Sequence, residues 1–270
     1  MKKIGIAFGG GGARGMAHIV YIKALEELGL KASVVSGTSI GAIMGAFYCA
    51  GLSSQDMEEL VDSLNFFKIG KMFDFTFFRN TGLFKGDKVV EFLENLLPAK
   101  TFEELEIPLK VVASDFWERE EVVIDEGELV KAVRASMSIP GVFEPVIEQG
   151  RVLIDGGLAN PVPYNIIRKE CDLLIAVDVI GRRMPQSTNH LMPSTMQSAL
   201  EAADIAQTTI VKRLMDSVKP NIYVRPDLIN VEIMDFHRLK EILEAAQKEK
   251  EPFKRLVDKA MKRILPFYNC

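Results

Sequence analysis

The chain holds few cysteines, few histidines and no long apolar run. Its three cysteines, Cys49, Cys171 and Cys270, lie far apart and outside C-x-x-C spacing. An odd, scattered set builds neither a disulfide framework nor a zinc site, and it fits a reducing compartment. Positive charge is not in excess either. The net charge of −4 over 270 residues gives no general electrostatic reason to bind nucleic acid or anionic lipid. The aromatic stretch Phe66 to Phe84 is broken by Lys68, Lys71, Asp74 and Arg79, far short of a membrane span. Met1-Lys2-Lys3 is basic, but the apolar run Ile4 to Phe8 is interrupted by Gly5 and ends in glycines, too short for a signal-peptide core. The expected location is cytoplasmic, with membrane contact no more than peripheral at the inner surface. No internal repeat and no low-complexity linker divides the chain, so one domain over 1–270 is expected.

What is present is an alternation of short apolar strands with amphipathic helical patterns. That pattern predicts an α/β fold, a three-layer α/β/α arrangement around a largely parallel sheet. Strands are expected at Ile4–Phe8, Ser33–Ser36, Leu109–Ser114, Val122–Asp125, Leu173–Val179 and Ile222–Val224. Helices are expected at about Arg14–Leu28 with Gly29 as its stop, after Ser39 to Gly51, after Ser53 to about Leu64, at Lys88–Leu97 capped by Asp87, and at Glu128–Met137. Gln149-Gly150 between Val146–Glu148 and Arg151–Ile154 reads as a hairpin turn. A long helix over Thr195–Ser217, with Met196, Leu200, Ile205, Ile210 and Leu214, reads as core-facing, with a second wall of the lipid site as the alternative. The last forty residues read as a charged amphipathic helix interrupted at Pro252, with its Lys/Glu-rich surface from Lys240 solvated.

Two glycine-framed turns stand out. Gly37-Thr38-Ser39-Ile40-Gly41 fits G-x-S-x-G, in which glycines let a strand turn sharply into a helix and leave a serine hydroxyl exposed. Gly9-Gly10-Gly11-Gly12-Ala13-Arg14-Gly15 offers backbone N–H groups at a helix start, suited to a developing negative charge. The glycine run also fits the dinucleotide string G-x-G-x-x-G, but the next strand ends in Gly37-Thr38-Ser39 where that site wants an acid. Asp155-Gly156-Gly157 closes the Gln149-Gly150 hairpin; alone it would be an ordinary turn. Ser136 and Ser138 lack flanking glycines, and Asp115 and Asp178 merely end strands.

Gly10-Gly11-Gly12-Ala13-Arg14-Gly15, Gly37-Thr38-Ser39-Ile40-Gly41 and Asp155-Gly156-Gly157 together resemble the bacterial patatin-like phospholipases, which carry G-G-G-x-R-G, G-x-S-x-G and D-G-[AG] in that order. Ala135 to Gly141 also resembles the stretch that precedes the family's aspartate. The resemblance runs from Ile4 to about Val179, so the motif-bearing core spans about 4–180. It implies a Ser39–Asp155 dyad acting on fatty-acyl esters of phospholipids, lysophospholipids or related lipids, with no metal and no cofactor. The oxyanion hole would be Gly10, Gly11 and Gly12 with Arg14 shaping and polarising the loop, or else serving as a surface ion-pair partner, supported by Gly15, Gly37, Gly41, Gly156 and Gly157.

Three other readings use the same residues. An acyltransferase would deliver the acyl group to an alcohol instead of water. A Ser–His–Asp triad would recruit His190 or His237 with Asp155 or Asp178; His18 reads as a structural histidine. A non-catalytic lipid-binding module would keep the fold without turnover. Seven of the sixteen phenylalanines fall between Phe66 and Phe84, suited to a candidate cap at 64–86, an acyl pocket, an interfacial contact or plain core. Oligomeric state leaves no trace in the sequence.

Overall fold

The computed structural model describes residues 2–63, 86–184 and 192–264. The candidate cap with its phenylalanines falls, except for Gly86, outside the described residues, as do His190 and Cys270.

The strands are β1 (Ile4–Phe8), β2 (Val34–Thr38), β3 (Leu109–Asp115), β4 (Glu121–Ile124), β5 (Val146–Glu148), β6 (Arg151–Asp155), β7 (Leu173–Val177) and β8 (Ile222–Val224). They form one mixed, mostly parallel sheet in the order β5-β6-β3-β2-β1-β7-β8, with β4 paired to β3. The pairs joining β3, β2, β1, β7 and β8 are parallel, whereas β4, β5 and β6 are antiparallel additions around β3. β1 and β7 are buried at every position, which is why they read as continuous apolar runs rather than alternating ones.

The helices are α1 (His18–Glu27), α2 (Ile40–Cys49), α3 (Ser54–Ser63), α4 (Asp87–Leu96), α5 (Leu129–Ser136), α6 (Thr195–Ser217) and α7 (Leu239–Ile264). A 3-10 turn over Gly12–Ala17 leads into α1, so the helix expected from Arg14 begins as a tighter coil. Gly29 ends it with φ 67°, and its N–H and that of Leu30 return to the carbonyls of Glu26 and Leu25. Ser53 caps α3 reciprocally with Asp56. The predicted cap of α4 is corrected: Asp87 is the first helical residue, and Gly86, left-handed at φ 78°, precedes it without a side-chain bond.

The C-terminal end also differs from expectation. α7 runs unbroken through Pro252. A proline inside a helix costs ~3 kcal/mol, but Ile242, Ala246, Phe253 and Val257 repeat at helical spacing and are fully buried. Each such aliphatic or aromatic burial contributes roughly 1.5–3 kcal/mol, enough to hold the helix across the proline. Phe253 meets Tyr21 of α1 edge-on at 5.1 Å, and Lys250 and Lys254 bracket Glu27. The segment from Lys240 is amphipathic as expected, but the interruption expected at Pro252 is absent from it.

Candidate functional site

The site is created by an unusual meeting of strand ends. β3 pairs with β2 through Leu109–Val112, with β6 through Ala113–Asp115, and with β4 through Val111–Ser114. Because β4 overlaps both other ladders, it occupies one edge of β3 while β2 and β6 share the other. β2 arrives there with Thr38 opposite Val112, and β6 arrives antiparallel with Asp155 opposite Ala113. The two C-terminal ends thus meet head to head, and the residues leaving them face each other. Ser39 Oγ donates to Asp155 Oδ2 at 2.7 Å, across 116 residues of sequence.

Ser39 sits at φ 55°, ψ −124°, a conformation that costs a non-glycine residue about 1–3 kcal/mol. The surroundings impose it. A Cβ on Gly37 would lie 2.4 Å from the Gly41 carbonyl oxygen, and one on Gly41 would lie 2.1 Å from the Phe8 carbonyl oxygen. The Ser39 N–H donates to Ser136 Oγ at 2.8 Å, and Ser136 in turn donates to the Val112 carbonyl. Ser136 is thus a brace of the turn, a role its sequence setting did not disclose.

Asp155 is 5% exposed, and its second oxygen accepts the Gly157 N–H at 2.7 Å. Burial raises its pKa to about 6, against the opposing pull of the bonds from Ser39 and Gly157. The other aspartates are committed elsewhere. Asp115 accepts the N–H groups of Trp117 and Glu118, and Asp178 accepts from Ile180 N–H and the Tyr223 hydroxyl. His237 is 55% exposed beside Asp235. His18 is fully buried, donates to the Gly9 carbonyl at 2.8 Å and is held neutral by burial, which lowers its pKa to about 4.

The glycine loop is tied at successive peptides. Gly9 N–H donates to Val177 and Gly10 N–H to Pro161, both at 2.9 Å. Gly10 is therefore corrected as an oxyanion donor: its amide is already spent. Arg14 Nε donates to the Gly11 carbonyl at 2.9 Å, and its two remaining nitrogens grip Asp204 of α6 at 3.0 and 3.1 Å. Arg14 is thus both a loop-shaping residue and an ion-pair partner, but a buried one. The amides of Gly11 and Gly12 have no acceptor among the described residues and remain the candidate donors.

Two cavities meet at Ser39. The larger is lined almost wholly by apolar side chains, among them Met16, Ile43, Met44, Phe47, Met57, Leu93, Met137 and Phe143, with Gly12 and Ser39 at one end. The smaller adjoins Gly10, Gly11, Gly12, Ser39 and Asp155, and α6 closes it with Leu200, Ala203, Asp204 and Gln207. The core-facing reading of α6 is corrected accordingly: Ile205 is 63% exposed, and the helix instead walls the cleft, bringing Leu200 as the alternative had it and, beyond it, a carboxylate and an amide. Among the described residues, no cluster of three or more His, Cys, Asp or Glu side chains suits a metal ion, and no helix is long and apolar enough to cross a membrane.

A family model described as patatin-like phospholipase matches residues 6–167. An uncharacterized NTE family protein of Mycobacterium tuberculosis is 34% identical over 180 residues, 66% of this chain and 49% of that protein. The rat patatin-like phospholipase domain-containing protein 7 is 29% identical over 276 residues, 89% of this chain and 20% of that protein. The chain therefore spans about half the length of the mycobacterial relative and less of the rat one. Among solved structures, VipD from Legionella pneumophila shares the fold, with a TM-score of 0.58 at 14% identity over 94% of this chain and 66% of that chain.

Proposed function

The chain belongs to the patatin-like phospholipase family, and from that premise we propose that it is a serine acyl-hydrolase for fatty-acyl esters of phospholipids, lysophospholipids or related lipids, working through Ser39 and Asp155. The observation that carries the reading is the direct 2.7 Å bond from Ser39 Oγ to Asp155 at the end of an apolar cavity. The hydroxyl proton already points at a carboxylate, with no imidazole between them.

In this reading the acyl chain lies in the apolar cavity and its ester carbonyl reaches Ser39. Ser39 Oγ attacks the carbonyl carbon as Asp155 takes the proton, and the oxygen that gains charge is met by the amides of Gly11 and Gly12. When the tetrahedral intermediate collapses, Asp155 returns that proton to the departing alcohol, which leaves through the α6-lined cleft. Water then repeats the sequence: Asp155 accepts its proton, the acyl-enzyme opens to a fatty acid, and Ser39 is restored. A carboxylate whose pKa is lifted to about 6 is a stronger base than an ordinary one and still ionised at neutral pH.

Hydrolysis of short- and long-chain p-nitrophenyl esters and a lysophospholipid by the wild type, Ser39→Ala, Asp155→Asn and His237→Asn tests this. Loss in the first two variants with retention in the third is expected. Loss in a folded His237→Asn protein, or activity surviving Asp155→Asn, overturns the proposed dyad.

A further inference from the structure

We propose that Asp204 is a positioning residue for the oxyanion site, acting through Arg14 and the Gly11 carbonyl on the Gly12 N–H; the inference rests on the serine acyl-hydrolase reading. Asp204 touches none of the reacting atoms. What it holds is the guanidinium that holds the loop.

The geometry runs in one direction. Gly11 C=O and Gly12 N–H belong to a single planar trans peptide, so they point opposite ways and turn together. Arg14 Nε pins that carbonyl at 2.9 Å. A guanidinium held at one nitrogen still swings about the bond, but Asp204 accepts from both terminal nitrogens, and a fork matched to a carboxylate leaves one orientation. All three nitrogens of Arg14 are then engaged, in a site where the arginine is 2% and the aspartate 9% exposed. Gly12 itself has no slack: at φ 59° a Cβ would fall 2.3 Å from the Ile233 carbonyl oxygen.

The pair also joins distant parts of the chain. Asp204 lies 190 residues beyond Arg14 and lines the smaller cleft beside Ser39. One turn further along α6, Gln207 lies against Gly157, whose N–H donates to Asp155. A single helix face thus leans on the oxyanion loop and on the peptide next to the base. An ion pair serving stability alone would have no reason to end on the carbonyl of a candidate oxyanion peptide.

The test uses the full chain with Asp204→Asn, Asp204→Glu and Arg14→Lys. On p-nitrophenyl butyrate, Asp204→Asn is expected to lower kcat about 10- to 100-fold while KM stays within about twofold, because the loss falls on the transition state. Affinity for an alkyl trifluoromethyl ketone, whose adduct carries the oxyanion, is expected to fall by the same factor as kcat/KM. The acid limb of the pH profile is expected to stay in place, since the base is untouched, and Asp204→Glu should recover most of kcat. If Asp204→Asn does not fold, Arg14→Lys replaces it: the charge opposite Asp204 is kept, but the rigid planar fork that fixes the carboxylate and the carbonyl in one orientation is lost. A folded variant with unchanged kcat and unchanged ketone affinity overturns the proposal, as does a loss of kcat without loss of ketone affinity. The amide resonances of Gly11 and Gly12 are the arm that needs no turnover. Their displacement in Asp204→Asn supports the positioning role even if the wild type hydrolyses none of the esters, which would defeat only the reading of function; unmoved resonances defeat the positioning role.

Discussion

Ser39 has different company on its two sides. Toward α2, α3 and α4 it opens on a space of about 960 Å³, mouth included, walled by methionine, aliphatic and phenylalanine side chains. Toward α6 it opens on about 430 Å³, mouth included, walled by the glycine loop, Asp155, Asp204 and Gln207 together with Ile139, Leu158, Leu200 and Ile233. The first wall has few directional constraints and many rotamers, which suits a flexible chain of variable length. The second holds the polar groups, and its glycine loop, Asp155 and Asp204 are each fixed by hydrogen bonds, which suits atoms whose charge changes during reaction. On the proposed reading, binding tolerance and chemical rigidity are separated across one side chain.

The largest effects should come from the rigid side. Ser39→Ala and Asp155→Asn are each expected to cut kcat about 10⁴-fold or more, measured as ester hydrolysis by folded protein. Gly12→Ala should follow at about 10²- to 10³-fold in kcat, since the added carbon would meet Ile233 and turn the peptide that carries a candidate donor. An activity near wild type in Gly12→Ala would remove that peptide from the account. On the adaptable side, Leu93→Trp is expected to lower kcat/KM for long-chain esters about tenfold and leave short ones nearly unchanged. Equal losses at every chain length would mean that the acyl group lies elsewhere.

The pH dependence separates the two sides again. Asp155 must be ionised to accept a proton, so kcat/KM should fall tenfold per pH unit below about 6, where its raised pKa lies. Stability moves the other way. A carboxyl raised from 3.8 to about 6 favours the folded state when protonated, and that contribution disappears as pH rises through about 6. Asp155→Asn should therefore be more stable than the wild type above pH 7, by on the order of 3 kcal/mol at most, with the gap closing toward pH 4. Ser39→Gly should add on the order of 1 kcal/mol by releasing the strained φ, again at the expense of activity. Thermal melts across pH check both, and a pH-independent difference between wild type and Asp155→Asn would contradict the assignment of the buried charge.

Much of this was legible in the sequence because it is local. Glycines that permit a turn, apolar runs, the Gln149-Gly150 hairpin with both residues at positive φ, and the order of the three motifs are short-range signals. The head-to-head approach of β2 and β6 on one edge of β3 is a matter of register between segments more than a hundred residues apart, and no local pattern encodes it. Asp204 was hidden for the same reason: in a helix read for its apolar spacing, a lone carboxylate looks solvated until Arg14 is brought to it. The commitment of the Gly10 amide to Pro161 is invisible because any glycine in a run offers the same N–H. Pro252 misled because its local cost is real, while the burial of Phe253 and Val257 that overrides it comes from α1 and the core beneath.

The most direct test of the central claim is covalent labelling with an alkyl fluorophosphonate, followed by mass mapping of the adduct and a rate comparison with Asp155→Asn. The account predicts one adduct, on the peptide containing Ser39, formed at least 100-fold more slowly when Asp155 is replaced. An adduct on another serine, or labelling of Ser39 at an undiminished rate in Asp155→Asn, would contradict it.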